Sequence, residues 1–150
     1  PFLFFTGLDD FVLSAKQIQV LQKHVNRGGT LVVNNALGLA TFHQAAIREL
    51  ARVFPHSPLD LLPQKHEIFR SLHTISRVKY TPTLMKDKGE QLQGRPILFG
   101  AKVGGRTAVL YSPYDIEGGW NEVRYPLCRG YQSKSAKQLG CNIIMYAMEH

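Results

Sequence analysis

Residues 2–33 read FLFFTGLDDFVLSAKQIQVLQKHVNRGGTLVV, and the fold class is decided inside this stretch. Phe2-Leu3-Phe4-Phe5-Thr6 is a continuous apolar run closed by Gly7, the pattern of a strand buried on both faces, and it is expected at the centre of a sheet. Ser14 is placed to accept from an orphan amide one turn on, with Gln17 in the capping-box position. Ile18, Leu21 and Val25 follow at helical spacing, and Gly28-Gly29 ends the helix with a residue that tolerates left-handed torsions. Thr30 to Val33 then forms a second strand. A helical crossover makes the two strands parallel, so Thr6 and Asn34 share one edge of the sheet.

Working outward, a second helix is expected from near Thr41, with Phe42, Ala46, Ile47, Leu50 and Phe54 on its inner face and Pro55 as its stop. The order β-α-β-α is that of doubly wound folds. Between Pro55 and Gln93 the pattern weakens, with prolines at 55, 58, 63 and 82 and only a short helical turn around His66 to Phe69. This reads as a long connection, the kind often given over to function. Pro96 to Val103 and Arg106 to Ser112 read as two strands joined at Gly104-Gly105, an antiparallel hairpin. Ser112 to Ser133 is a second long loop, and a final helix runs from about Ser135 to Met148 and packs on the sheet.

A chain of 150 residues suits one domain with one sizeable core. With 44% apolar and 19% charged residues, the composition excludes a disordered protein. No apolar run reaches the length of a membrane span and these residues hold no charged-then-apolar leader pattern, so any targeting segment is expected to lie outside them and the compartment stays open. The chain opens at Pro1 without a Met, so a processed or truncated product is expected. Cys128 and Cys141 show no zinc spacing; two buried, inert thiols is the first reading and a disulfide the second. The net charge of +7 is concentrated between Lys65 and Arg106, where Lys65, Arg70, Arg77, Lys79, Lys86, Lys88, Arg95, Lys102 and Arg106 face only Glu67, Asp87 and Glu90. Without an RNP-like or helix-turn-helix pattern this reads as a solvated face, with anion or nucleic-acid binding as the alternative.

Several stretches, in this order, carry a resemblance: Pro1 to Gly7, Leu13-Ser14, Gly28-Gly29-Thr30-Leu31, Arg48-Glu49-Leu50-Ala51-Arg52-Val53-Phe54-Pro55, His66-Glu67-Ile68-Phe69 and Gly105 to Ser112. Tyr114-Asp115-Ile116, Cys128-Arg129-Gly130-Tyr131 and Gly140 to Ala147 continue it. Together they resemble the bacterial domain-of-unknown-function family 4159, related in fold to class I glutamine amidotransferases. The resemblance implies a flavodoxin-like three-layer sandwich with a mainly parallel sheet and one antiparallel hairpin. It also implies an upstream strand and helix that this chain lacks, and a periplasmic or membrane-associated setting in which any membrane contact comes from segments outside this chain. It supplies no activity and no cofactor.

Ligands of open α/β sheets bind beyond the carboxyl ends of the strands. The loops expected there bring Gly7, Asp9 and Asp10, then Asn34, Asn35 and Gly38, then Ser112, Tyr114 and Asp115. Amidotransferase relatives place a cysteine on the sharp turn after a strand, but Asn34-Asn35-Ala36-Leu37-Gly38 holds neither thiol nor hydroxyl, so no catalytic residue is assigned. Asp115 with Asp9 or Asp10 forms a candidate carboxylate pair for acid–base work or a divalent cation; the simpler reading makes all three turn caps, with no metal site. His43, His66 and His73 are candidate ligands or bases, with exposed or locally bonded histidine as the first reading. Trp120 either plugs the edge of the core or offers a binding platform. Arg124 and Arg129 near Cys128 would lower a thiol pKa, yet no base accompanies it and a packed thiol is the first reading.

Two functions are therefore in play. One is a non-catalytic domain that binds a protein or an extended ligand through the basic connection and the strand-end rim of Gly7, Asp9, Asp10, Asn34, Asn35, Ser112, Tyr114, Asp115 and Trp120, its partner another protein or a subunit of a larger assembly rather than a nucleic acid. The other is a hydrolase with an unconventional carboxylate and amide site at the same rim.

Overall fold

The computed structural model describes residues 2–122 and 125–150. Five strands, β1 (Phe2–Gly7), β2 (Thr30–Asn35), β3 (Asp60–Leu61), β4 (Phe99–Val103) and β5 (Arg106–Ser112), form one open sheet in the order β1-β2-β5-β4-β3. The helices are α1 (Ala15–Asn26), α2 (Ala40–Val53), α3 (Pro82–Leu92), the single turn α4 (Glu117–Trp120) and α5 (Ser133–Glu149).

The strand–helix–strand unit forms as its sequence dictates. Ser14 and Gln17 make the reciprocal capping box of α1, and Gly28, at φ +94°, turns the chain out of the helix. β1 and β2 pair in parallel, with Thr6 opposite Asn34. β2 pairs in parallel with β5, and Gly104 and Gly105, both at positive φ, close the β4–β5 hairpin.

The sheet is nevertheless mixed rather than mainly parallel. β3 adds a second antiparallel pairing, to β4, beside the hairpin. β1 is not central either: among the described residues it is an edge strand, and Phe2 and Leu3 are 38% and 39% exposed. An unbroken apolar run points to a central strand, but one flank of β1 meets β2 and the other meets none of the described strands.

Alternation along the strands divides the core. Leu31, Val33, Val109 and Tyr111 face α1 and α2, while Val32 and Leu110 face the opposite way, towards Leu84 and Leu92 of α3 and Leu139, Ile143 and Tyr146 of α5. Each such aliphatic side chain, fully buried, contributes on the order of 1.5–3 kcal/mol.

The weak stretch from Pro55 to Gln93 holds more structure than its prolines suggest. β3 and a 3-10 turn at Glu67–Phe69 lie in it, and so does α3. Thr81 caps α3 by accepting from the Leu84 amide, and Pro82 stands in its first turn, where a missing N–H costs nothing. Pro82 therefore starts a helix rather than interrupting one. On α2, Ile47 is exposed, and the inner face is Phe42, Ala45, Ala46, Glu49, Leu50 and Val53.

Candidate functional site

β1 and β2 each lead into a helix on one face of the sheet, whereas β5 leads to α4 and α5 on the other. The loops after β2 and β5 thus part company at neighbouring strand ends, where Asn34 lies opposite Ser112. Such a crevice is where doubly wound sheets hold their ligands.

Here the crevice is filled by the protein. Asp115, 3% exposed, accepts from Asn34 Nδ2 at 3.1 Å, from the Gly118 amide at 3.2 Å and from the Leu37 amide at 3.1 Å. The other end of the Asn34 amide accepts from the Ile116 N–H at 3.0 Å, and its nitrogen also reaches Thr6 Oγ1. Asn35 donates to the carbonyls of Leu39 and Pro113 and accepts from the Leu39 amide. Ser112 donates to its neighbour Tyr114's carbonyl at 2.6 Å. Among the described residues, every buried side-chain nitrogen and oxygen has a partner.

The segment around Cys128 closes the crevice. The Asp115 N–H donates to the Arg129 carbonyl, and the Tyr131 N–H donates to the Asp115 carbonyl, so residues 128–131 run as a short ladder against 115. Gly130 must be glycine here, because a Cβ would stand 2.4 Å from the Asp115 carbonyl oxygen. The Cys128 thiol donates to the Asp115 carboxylate at 3.6 Å. Burial, and then the Asp115 charge, push that thiol up to about 12, the opposite of an activated cysteine. Arg129 is engaged with Asp87, and Arg124 lies outside the described residues.

The bend after β2 carries strain. Leu37 sits at φ +59° inside the 3-10 turn Ala36–Gly38, and Gly38 follows at φ +64°. A left-handed torsion costs an aliphatic residue roughly 1–2 kcal/mol. What holds it is the Leu37 N–H on Asp115 and the Leu37 carbonyl receiving the Arg129 N–H. A Cβ on Gly38 would meet the Arg129 carbonyl oxygen at 2.2 Å.

Over residues 1–148 the chain matches the model of the family described as a domain of unknown function, DUF4159. It belongs to that family. No curated protein matches it. Two of the stretches quoted for the resemblance, Tyr114 to Ile116 and Cys128 to Tyr131, meet in space in this DUF4159 domain, where they and Asn34 at the end of β2 are bonded around Asp115.

Of the rim residues singled out in the sequence, Gly7, Asn34, Asn35, Ser112, Tyr114 and Asp115 come to one end of the sheet, with Gly7 opposite Asn35. Asp9 and Asp10 are exposed, and Asp10 is bonded to Arg48 at 2.9 Å, so the carboxylate pair with Asp115 does not form. The described residues contain no group of three or more His, Cys, Asp or Glu side chains that could hold a metal ion. Trp120 turns inward, its ring 5.2 Å from that of Phe4 and its Nε1–H donating to the Ala136 carbonyl at 2.8 Å. It plugs the seam between β1 and α5. Both cysteines are free thiols, and Cys141 is exposed rather than buried.

Two arrangements were not foreseen. Glu49, 1% exposed on α2, accepts from the Leu13 amide at 3.0 Å and binds both Arg48 and Arg52, pinning the β1–α1 loop onto α2. Burial pushes its carboxyl up, but the bonds from Arg48, Leu13 and Arg52 more than offset this and hold it below the ordinary value. The signal was a glutamate on the apolar stripe Phe42-Ala46-Leu50-Val53, flanked by arginines. The second is His43, whose Nδ1 lies 2.8 Å from the Tyr111 hydroxyl at the end of β5. Burial, then nearby Lys88, lower its pKa. The ring tautomer decides which of the two groups donates in this contact.

Proposed function

We propose that this domain is a non-catalytic binding or assembly module on an amidotransferase-like, flavodoxin-like scaffold, with another protein as its partner. Helices on both faces of a sheet whose β1-β2-β5 core is parallel support the scaffold reading. So does the strained strand-to-helix bend at Leu37, the backbone form in which elbow-type enzymes present a nucleophile.

The observation that carries the proposal is the occupant of that bend. The residue held at φ +59° is a leucine, which has no nucleophilic group to present, and its N–H is spent on Asp115. A hydrolase reading needs a carboxylate that a substrate can reach. Asp115 is buried and receives four donors, Asn34, Leu37, Gly118 and Cys128, which speaks for a structural anchor.

The test is turnover by the purified domain of p-nitrophenyl esters, anilides and glycosides, with Asp115→Ala beside it. No turnover above buffer is expected. Enzyme-like turnover abolished by Asp115→Ala would replace this reading with the hydrolase.

A further inference from the structure

A cavity of about 1260 Å³ opens between residues 77–83, Gly118, Glu122, Tyr125, Cys128 and the first turn of α5. Three cations line it, Arg77, Lys79 and Lys134, and none of them is in an ion pair among the described residues. Its one lining carboxylate there, Glu122, is bonded to Lys137. The groove is thus an uncompensated positive surface. The first turn of the 17-residue α5 adds to this, since Gln132 makes no side-chain cap over its amides.

Shape and lining narrow the ligand. The volume exceeds the ~300–1,000 Å³ of small-molecule pockets, far more than a lone anion needs. Tyr125, 53% exposed beside Pro126, offers an apolar surface in the lining and Gln138 a polar group, while the Thr83 hydroxyl already donates to the Pro126 carbonyl. A single exposed aromatic is poor for stacking successive bases.

We propose that this groove binds an extended acidic peptide segment of a partner protein, its carboxylates on Lys79, Lys134 and Arg77 and an apolar side chain against Tyr125. The proposal rests on the reading of the domain as a binding module and names the surface and chemistry of that binding.

The probe is a fluorescein-labelled peptide alternating Glu and Leu, titrated by anisotropy against the domain, with a Lys/Leu peptide, inorganic phosphate and a ten-residue thymidine oligonucleotide in parallel. Saturable binding of the Glu/Leu peptide is expected, weakening towards physiological salt of about 0.15 M. The amide signals of Lys79, Lys134 and Gln138 should shift in 15N-labelled protein. Lys79→Glu with Lys134→Glu should weaken binding by about tenfold or more, with an unchanged melting temperature. Lys16→Glu with Lys23→Glu on α1 should leave it as it was.

Absence of saturable binding, equal loss in the α1 variant, shifts confined to other residues, tighter binding of the oligonucleotide, or full displacement by phosphate would each overturn the proposal. Substrate turnover would instead remove the non-catalytic reading, so the two failures are told apart.

Discussion

Asn34 donates to the Asp115 carboxylate at 3.1 Å across 81 residues of chain, and the same side chain takes the Ile116 N–H on its oxygen. One amide at the end of β2 thereby fixes the path of the chain after β5. Asn34→Ala strips a buried carboxylate of a donor and is expected to cost about 1–3 kcal/mol in urea unfolding. Asn34→Asp should cost more at neutral pH and recover as pH falls, because two adjoining carboxylates must share a proton. Parent-like stability of Asn34→Ala would show the tie to be idle.

Gly140 on α5 leaves room for the indole of Trp120, since a Cβ there would stand 2.4 Å from Nε1. Gly140→Ala must displace the ring, at an expected cost of about 1–3 kcal/mol. As the chain has one tryptophan, its emission reports the event directly. A red shift with lowered stability is the expected outcome, and an unchanged spectrum would mean that the seam yields elsewhere.

The two thiols should react very differently. Cys141 is exposed, whereas Cys128 is buried with its thiol pushed up to about 12. A disulfide-exchange reagent at neutral pH should modify one thiol of the folded domain rapidly and both in denaturant. Mass mapping of the first adduct to Cys128 would contradict the sealed crevice.

Acid should weaken the fold in two stages. Burial lowers the pKa of His43 and of His66 from the ordinary 6.5. The unfolded chain then binds protons that the folded one refuses, so their stabilising effect is complete above 6.5 and erodes as pH falls towards their folded values. Glu49 is held below the ordinary 4.5, so its contribution is present above 4.5 and fades as pH falls through its folded value. Chemical denaturation between pH 8 and about 3 should show both limbs, the first flattened by His43→Gln with His66→Gln and the second by Glu49→Gln.

Local signals carried the architecture where they acted alone. The capping box at Ser14, the Gly104-Gly105 turn and the apolar stripe of α5 were legible because each is settled by neighbouring residues. Position within the sheet was not, because an apolar strand such as β1 looks the same at the centre and at the edge. α3 was hidden by Pro82, whose meaning depends on Thr81 before it. In the site, the sequence marked Asn34, Asn35 and Asp115 as polar residues at strand ends. It did not show that they would satisfy one another, since their bonds join residues some eighty positions apart. Leu37 drew no attention because a leucine carries no chemistry; its interest lies wholly in its backbone angle.

The two flanks of the sheet differ in kind. β3 is two residues long, begins with Asp60 and is bracketed by Pro58 and Pro63, all devices that discourage strand addition. β1 has six residues, no charge and no proline. The net charge of +7 keeps molecules apart at long range, but nothing along β1 opposes the last few ångströms of approach. For the isolated domain, shelf life in concentrated solution should therefore be governed by this flank rather than by melting temperature. A lysine in place of Leu3 should extend it without touching the core.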